Sequence, residues 1–188
     1  MSSEVEICNI ALNALGEARI TALTEDNPRA RLCNDNYSGT RDAEIVKREW
    51  NFAIARVSLA KLVTAPIFEF DNAYQLPDEC LRVLETDDSL DIWRIEGRLL
   101  LTNADSVKIR FLQQVTDPNE FPADFIRALG LALALAIGTS ITKSEKLMIR
   151  LEAAYVRAIS DASGVNLSED GESRDDERFS WLRARGQA

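Results

Sequence analysis

The side chains that usually carry chemistry are scarce in this chain. Its 188 residues include no histidine, which removes the usual general base near neutral pH and the usual nitrogen ligand for metals. Cys8, Cys33 and Cys80 are an odd number and too far apart for a metal or redox motif, so they read as small core residues. The glycines, at 16, 39, 97, 130, 138, 164, 171 and 186, never gather into a phosphate-cradling loop. The acidic run Glu85, Asp87, Asp88 and Asp91 has oxygen ligands of the kind Ca²⁺ takes, but it lacks the loop spacing and central glycine of an EF-hand. Nothing points to a carboxylate-only hydrolase. No catalytic residue, cofactor site or metal site is therefore expected, and function has to be sought in surfaces.

Three stretches could form such surfaces. Residues 68–91 hold eight acidic side chains against Arg82 alone, a local charge of −7 within an overall −9. A solvated face explains that concentration, and so does a surface that repels a passing polyanion, with Asp87, Asp88 and Asp91 at its centre. The overall charge argues against tight, sequence-independent binding of nucleic acid, which needs basic residues to release phosphate counterions. The second stretch is the C-terminus. Residues 166–178 are almost devoid of apolar side chains, yet Phe179, Trp181 and Leu182 follow, with Arg183 and Arg185 beside them. Aromatic residues beyond a polar linker are the makings of an anchor on a partner. The third is a line of small residues. Ala128, Ala132 and Ala136 fall four apart, and Gly130, Ala134 and Gly138 fall four apart on nearly the opposite side of the same helix. Both flanks are smooth enough for another helix of the same chain, or of another subunit, to approach closely.

The elements that must position these stretches can be read in order. Ser3 with Glu6 forms a capping box, and helical periodicity then runs to Gly16. Asn27-Pro28 starts a second helix reaching about residue 50, with Ala30, Cys33, Tyr37 and Ile45 inward and the arginines outward. From residue 53 the period becomes alternating, with β-like runs at 53–59, 68–70, 80–84, 91–95, 98–102 and 107–115. Glu96-Gly97 is the hairpin turn signal. Residues 121–142 then form a central helix starting at Pro122, without a polar side chain from 128 to 138. Eleven apolar residues are too few for a membrane span, so this is a buried helix. Thr142 with Glu145 is a second capping box, opening a helix with Leu147, Met148, Leu151, Ala154, Tyr155, Ala158 and Ala162 inward as far as Gly164. The expected fold is α+β. Residues 1–52 and 116–165 make a helical bundle of two N-terminal helices and a C-terminal hairpin, 53–115 an inserted antiparallel sheet, and 166–188 an extended tail. The acidic N-terminus carries no signal peptide, so synthesis in the cytosol is expected.

Two N-terminal helices, an insertion opened by Trp50-Asn51-Phe52-Ala53, a Tyr74-Gln75-Leu76-Pro77 step, then Phe121-Pro122 and a helical hairpin follow one another in an order that resembles the tail tubular protein A family. These are the head-to-tail adaptors of short-tailed phages and related prophages. The likeness extends over most of residues 7–163, through Asn13-Ala14-Leu15-Gly16-Glu17, Arg41-Asp42, Leu81-Arg82-Val83-Leu84, Glu96-Gly97-Arg98 and Val115-Thr116-Asp117. The resemblance implies a structural ring, dodecameric in that family, which sits under the portal vertex of the capsid and joins it to the tail nozzle or another tail component. It implies assembly at the head–tail junction of the virion after synthesis in host cytoplasm, no membrane, and DNA that passes through without specific binding. The C-terminal aromatic and arginine residues would then anchor on the portal, and the acidic residues would face the lumen. Two alternatives come from other classes: an acidic protein-binding regulatory module acting as a monomer or dimer, and, more distantly, a histidine-free enzyme.

Overall fold

A computed structural model describes residues 2–87 and 92–169, the side chains of 167–169 excepted. Helix α1 spans Glu4–Leu15. Ser3 Oγ accepts the Glu6 N–H while the Glu6 carboxylate accepts the Ser3 N–H, so two donors that the first turn would leave orphaned are satisfied. Gly16 ends α1 in the left-handed region at φ 79°, which costs glycine nothing. Helix α2 spans Pro28–Lys47, and Asn27 caps it by accepting the Ala30 N–H. A 3₁₀ turn at Asn51–Ala53 leads into six strands: β1 Ile54–Ser58, β2 Asn72–Gln75, β3 Cys80–Thr86, β4 Trp93–Glu96, β5 Leu99–Thr102 and β6 Lys108–Gln113. Helices α3 (Ala123–Ile141) and α4 (Glu145–Glu169) follow. The fold is α+β.

Helix α3 is the common partner, since α1, α2 and α4 all pack against it. Its two glycines have separate jobs. A Cβ on Gly130 would lie 2.6 Å from Ile10 Cγ2 of α1, and one on Gly138 would lie 2.7 Å from Met148 Sδ of α4. Ala128, Ala132 and Ala134 are buried, whereas Ala136 is exposed. The Gly130–Ala134–Gly138 flank is thus used within the chain. Among the described residues α3 is long and apolar enough to cross a membrane by length and composition, but Leu129, Leu133 and Ile137 are buried in the chain's own core.

The strands form two three-stranded antiparallel sheets instead of the single sheet expected, ordered β1-β6-β3 and β2-β5-β4. The first sheet lies between two layers. Leu112, Ile54, Leu81 and Leu84 join the helical core, while Ile109, Phe111, Val57 and Val83 meet Tyr74 and Leu100 of the second sheet. Where residues 50–53 enter the insertion, Trp50, Phe52, Phe121 and Phe125 form one cluster of tilted and edge-to-face rings, with centroid distances of 4.8 to 6.2 Å. The two ends of the insertion are held together by these four rings.

Several expectations need correction. Residues 68–70 are not a strand: Glu69 has φ 72° and the Phe70 N–H donates to the Phe68 carbonyl, closing a tight turn. The strand on that side is β2, where Asn72 obscures the alternation. The β4–β5 loop is Gly97-Arg98, one residue later than expected, because Glu96 pairs with Leu99. Ser144 and not Thr142 caps α4, accepting the Leu147 N–H, while Thr142 Oγ1 accepts the Ser144 N–H. Arg41 was expected outward and is buried, with its Nε 2.8 Å from Asp42 Oδ1. Helix α4 also continues beyond Gly164, so residues 166–169 are helical and not extended. The cause is Asn166, whose Oδ1 accepts the Asn51 N–H, whose carbonyl accepts from Asn51 Nδ2, and whose Nδ2 donates to the Glu49 carbonyl.

Candidate functional site

The acidic segment does not form a face of one sign. Antiparallel register places Arg56 of β1, Arg110 of β6 and Glu85 of β3 in one row across the first sheet. In the next row come Ser58, Lys108 and Asp87, whose N–H donates to the Lys108 carbonyl at 3.0 Å. These charged side chains line an open depression of about 400 Å³. Arg110 Nε lies 2.6 Å from Glu85 Oε1, and Arg110 also approaches Glu49 at 3.4 Å. Asp87, expected as part of an acidic surface, therefore stands among three cations. Like charges directly opposite, such as Arg56 and Arg110, are tolerated because Glu85 completes the row. Asp88 and Asp91 lie outside the described residues, as do Phe179, Trp181, Leu182, Arg183 and Arg185.

A second polar cluster ties α2 to α4. The Glu44 side chain is almost wholly buried and accepts from Lys47 Nζ at 2.5 Å and from Tyr155 OH at 2.8 Å, while Trp50 Nε1 donates to the Glu44 carbonyl at 3.0 Å. Burial pulls the Lys47 ammonium down, and its bonds to Glu44 and Tyr155 more than offset that, leaving it raised. Burial likewise pushes the Tyr155 phenol up. The three side chains of Glu44, Lys47 and Tyr155 partner one another. All three cysteines are buried. The bond between Cys8 and Cys33 pushes the Cys8 thiol up and the Cys33 thiol down, while burial raises Cys80; Cys8 and Cys80 are thus in the setting of unreactive thiols. Among the described residues no cluster of three or more acidic or cysteine side chains could hold a metal ion.

What the structure adds is apolar area left in solvent. On α4, Ile149 is 60% and Val156 57% exposed, and Ala153 between them is exposed too, so residues at i, i+4 and i+7 form a stripe on the face turned away from α3. In the loop between β1 and β2, Val63, Ile67 and Phe68 stand free, and in and beside β4, Ile92, Trp93 and Ile95 are open. Ile149 and Val156 were legible as a second apolar line on α4, off the core stripe. The loop residues had no such signal, since a strand at 68–70 would have buried alternate side chains. No protein-family model matches the chain, and no curated protein matches it significantly.

Proposed function

We propose that this chain is the subunit of a structural ring that joins the portal of a phage, or prophage-derived, capsid to the tail and forms part of the DNA conduit. It would be an assembly protein and not an enzyme. The observation that carries this is the exposure of apolar side chains on two unlike surfaces, the α4 stripe at Ile149 and Val156 and the loop at Val63, Ile67 and Phe68. A ring is built from heterologous contacts, in which one patch of each subunit meets a different patch of the next, and large exposed apolar patches mark such contacts. The ordered likeness to the adaptor family supports the same conclusion, since Trp50-Asn51-Phe52 and Phe121-Pro122, which carry that likeness, are the segments whose rings close the insertion onto the helices.

In this assembly the helices of residues 1–52 and 116–165 act as one bundle, and the C-terminal tail extends to the portal. Phe179, Trp181 and Leu182 are the anchor, with Arg183 and Arg185 meeting acidic groups or carbonyls. Asp87, Asp88 and Asp91 face the lumen; with Arg56, Lys108 and Arg110 beside Asp87 that surface is of mixed sign, so DNA passes because no unbroken basic patch holds it, and a tail nozzle or similar component binds below. Ile149→Asp with Val156→Asp tests the lateral contact. The double variant keeps its unfolding midpoint, to within about 0.5 kcal/mol for exposed positions, and no longer forms rings on a portal. Rings formed as readily as by the parent would remove the stripe from the interface.

A further inference from the structure

β4 is an edge strand, and the hairpin dictates which of its backbone groups point outward. With a two-residue loop at Gly97 and Arg98, Glu96 and Leu99 are the closing hydrogen-bonded pair. Bonded and non-bonded pairs alternate in an antiparallel ladder, so Arg94 bonds Leu101, and the N–H and C=O of Trp93 and Ile95 are directed away from β5. Among the described residues no strand pairs with that side of β4. The side chains show the same incompleteness. Ile95 is in register with Leu100 and Tyr74, which are 0% and 1% exposed beneath the first sheet, yet Ile95 and Trp93 are each 38% exposed. The inward row runs out of cover at β4.

We propose that β4 pairs with β4 of a second copy of this chain, antiparallel, with Ile95 opposite the partner's Ile95. Charge selects this register. The outward backbone groups at 93 and 95 allow centrings on residues 93 to 96, and centring on Trp93 sets two indoles together. Centring on Arg94 sets Arg94 against the partner's Arg94, and centring on Glu96 sets two glutamates together. Centring on Ile95 places Arg94, which already holds Glu69 of its own chain at 2.9 Å and keeps further donors for a second carboxylate, opposite the partner's Glu96 twice, as non-bonded pairs, where cross-strand side chains come closest. It also sets Trp93 opposite the partner's Gly97, which leaves room for the indole. The dyad is normal to the sheet, so both inner faces lie on one side and the two open rows of Trp93 and Ile95 cover each other. The product is a continuous six-stranded sheet with no open β4 edge. This contact is isologous and uses neither the α4 stripe nor the 63–68 loop, so its test is separate from that of the ring; since a two-fold on every subunit of a ring doubles it, the pair describes the free chain and opens when the ring forms on a portal.

Single cysteines at positions 93 to 96, oxidised mildly in the otherwise native protein, report the register. The three native cysteines are buried, and paired Cα atoms about 5.5 Å apart are within disulfide reach. Ile95→Cys gives a covalent dimer and Arg94→Cys and Glu96→Cys do not. A cross-link through Arg94→Cys or Glu96→Cys in place of Ile95→Cys, or none at all, overturns the proposal. Sedimentation of charge variants tests the selection. Arg94→Glu and Glu96→Arg each weaken the dimer by about tenfold or more, since both symmetry-related pairs become repulsive, and the double exchange restores it. Single variants that dimerise like the parent, or a double exchange that stays monomeric, would also overturn it.

Discussion

Helix α3 and strand β4 are opposite extremes of one chain. α3 buries ten of its nineteen residues and touches α1, α2 and α4, whereas β4 buries none of its four and, among the described residues, pairs on one side only. Apolar residues occur in both, so composition does not separate them. The difference is what surrounds each: α3 is packed by α1, α2 and α4 of its own chain, while Trp93 and Ile95 of β4 stay partly exposed. Stability therefore resides in the helices, and the surfaces free to meet partners lie on the second sheet, the 63–68 loop and the outer side of α4. Substitutions can be chosen to separate these two roles.

The largest effect is expected in α3. Leu133→Asp leaves an unpaired charge in a fully buried site and lowers stability by about 3–5 kcal/mol, read from the urea midpoint. A smaller contrast lies within the same helix. Gly130→Ala drives a methyl against Ile10 Cβ at 2.8 Å as well as Cγ2, atoms that move only with α1, so overpacking of about 1–3 kcal/mol outweighs a helix-propensity gain of about 1 kcal/mol. Gly138→Ala meets the flexible end of Met148, and its cost and gain nearly cancel. Thermal melts of the two variants separate these cases.

Outside the core, changes should leave the fold alone. Ending the chain after Glu169 preserves Asn166 and its bonds to Glu49 and Asn51, so the thermal midpoint stays put while portal binding is lost. A sharp fall in the midpoint would place the tail in the fold of its own subunit. The smallest effect is electrostatic. Glu25 accepts from the Thr21 hydroxyl and from the Thr21 and Ala22 N–H groups, which lowers its carboxyl from 4.5 to about 2. A depressed carboxyl stabilises above its unfolded value and loses that contribution as pH falls toward the folded one. The connector between α1 and α2 should loosen between pH 4.5 and about 2, with the Glu25 carboxyl titrating near the lower limit by NMR.

Local signals were the legible part of this fold. Ser3, Glu6, Gly16 and Asn27 act over three or four residues, and each does what its type predicts. The apolar run of α3 was legible because no partner could change its reading. What failed depends on distant partners. β2 is a strand because β5 supplies its ladder, and two sheets form instead of one because β6 takes β1 and β3 while β5 takes β2 and β4. α4 outlasts Gly164 because Asn166 finds Glu49 and Asn51, more than a hundred residues earlier in the chain. For the candidate surfaces, the acidic segment was legible as charge but not as neighbourhood, since Arg56 and Lys108 reach Asp87 only through the register of the first sheet.

In the function proposed, this chain assembles into a ring on a portal. The most direct measurement is its mass as a function of concentration, by native mass spectrometry or sedimentation, alone and with a candidate portal. Complexes carrying about twelve copies of the 21.0 kDa chain, the number that the resemblance to the adaptor family implies, are expected on the portal vertex, closed by heterologous contacts. A chain that remains monomeric or dimeric at every concentration and binds the portal without closing a ring would contradict it.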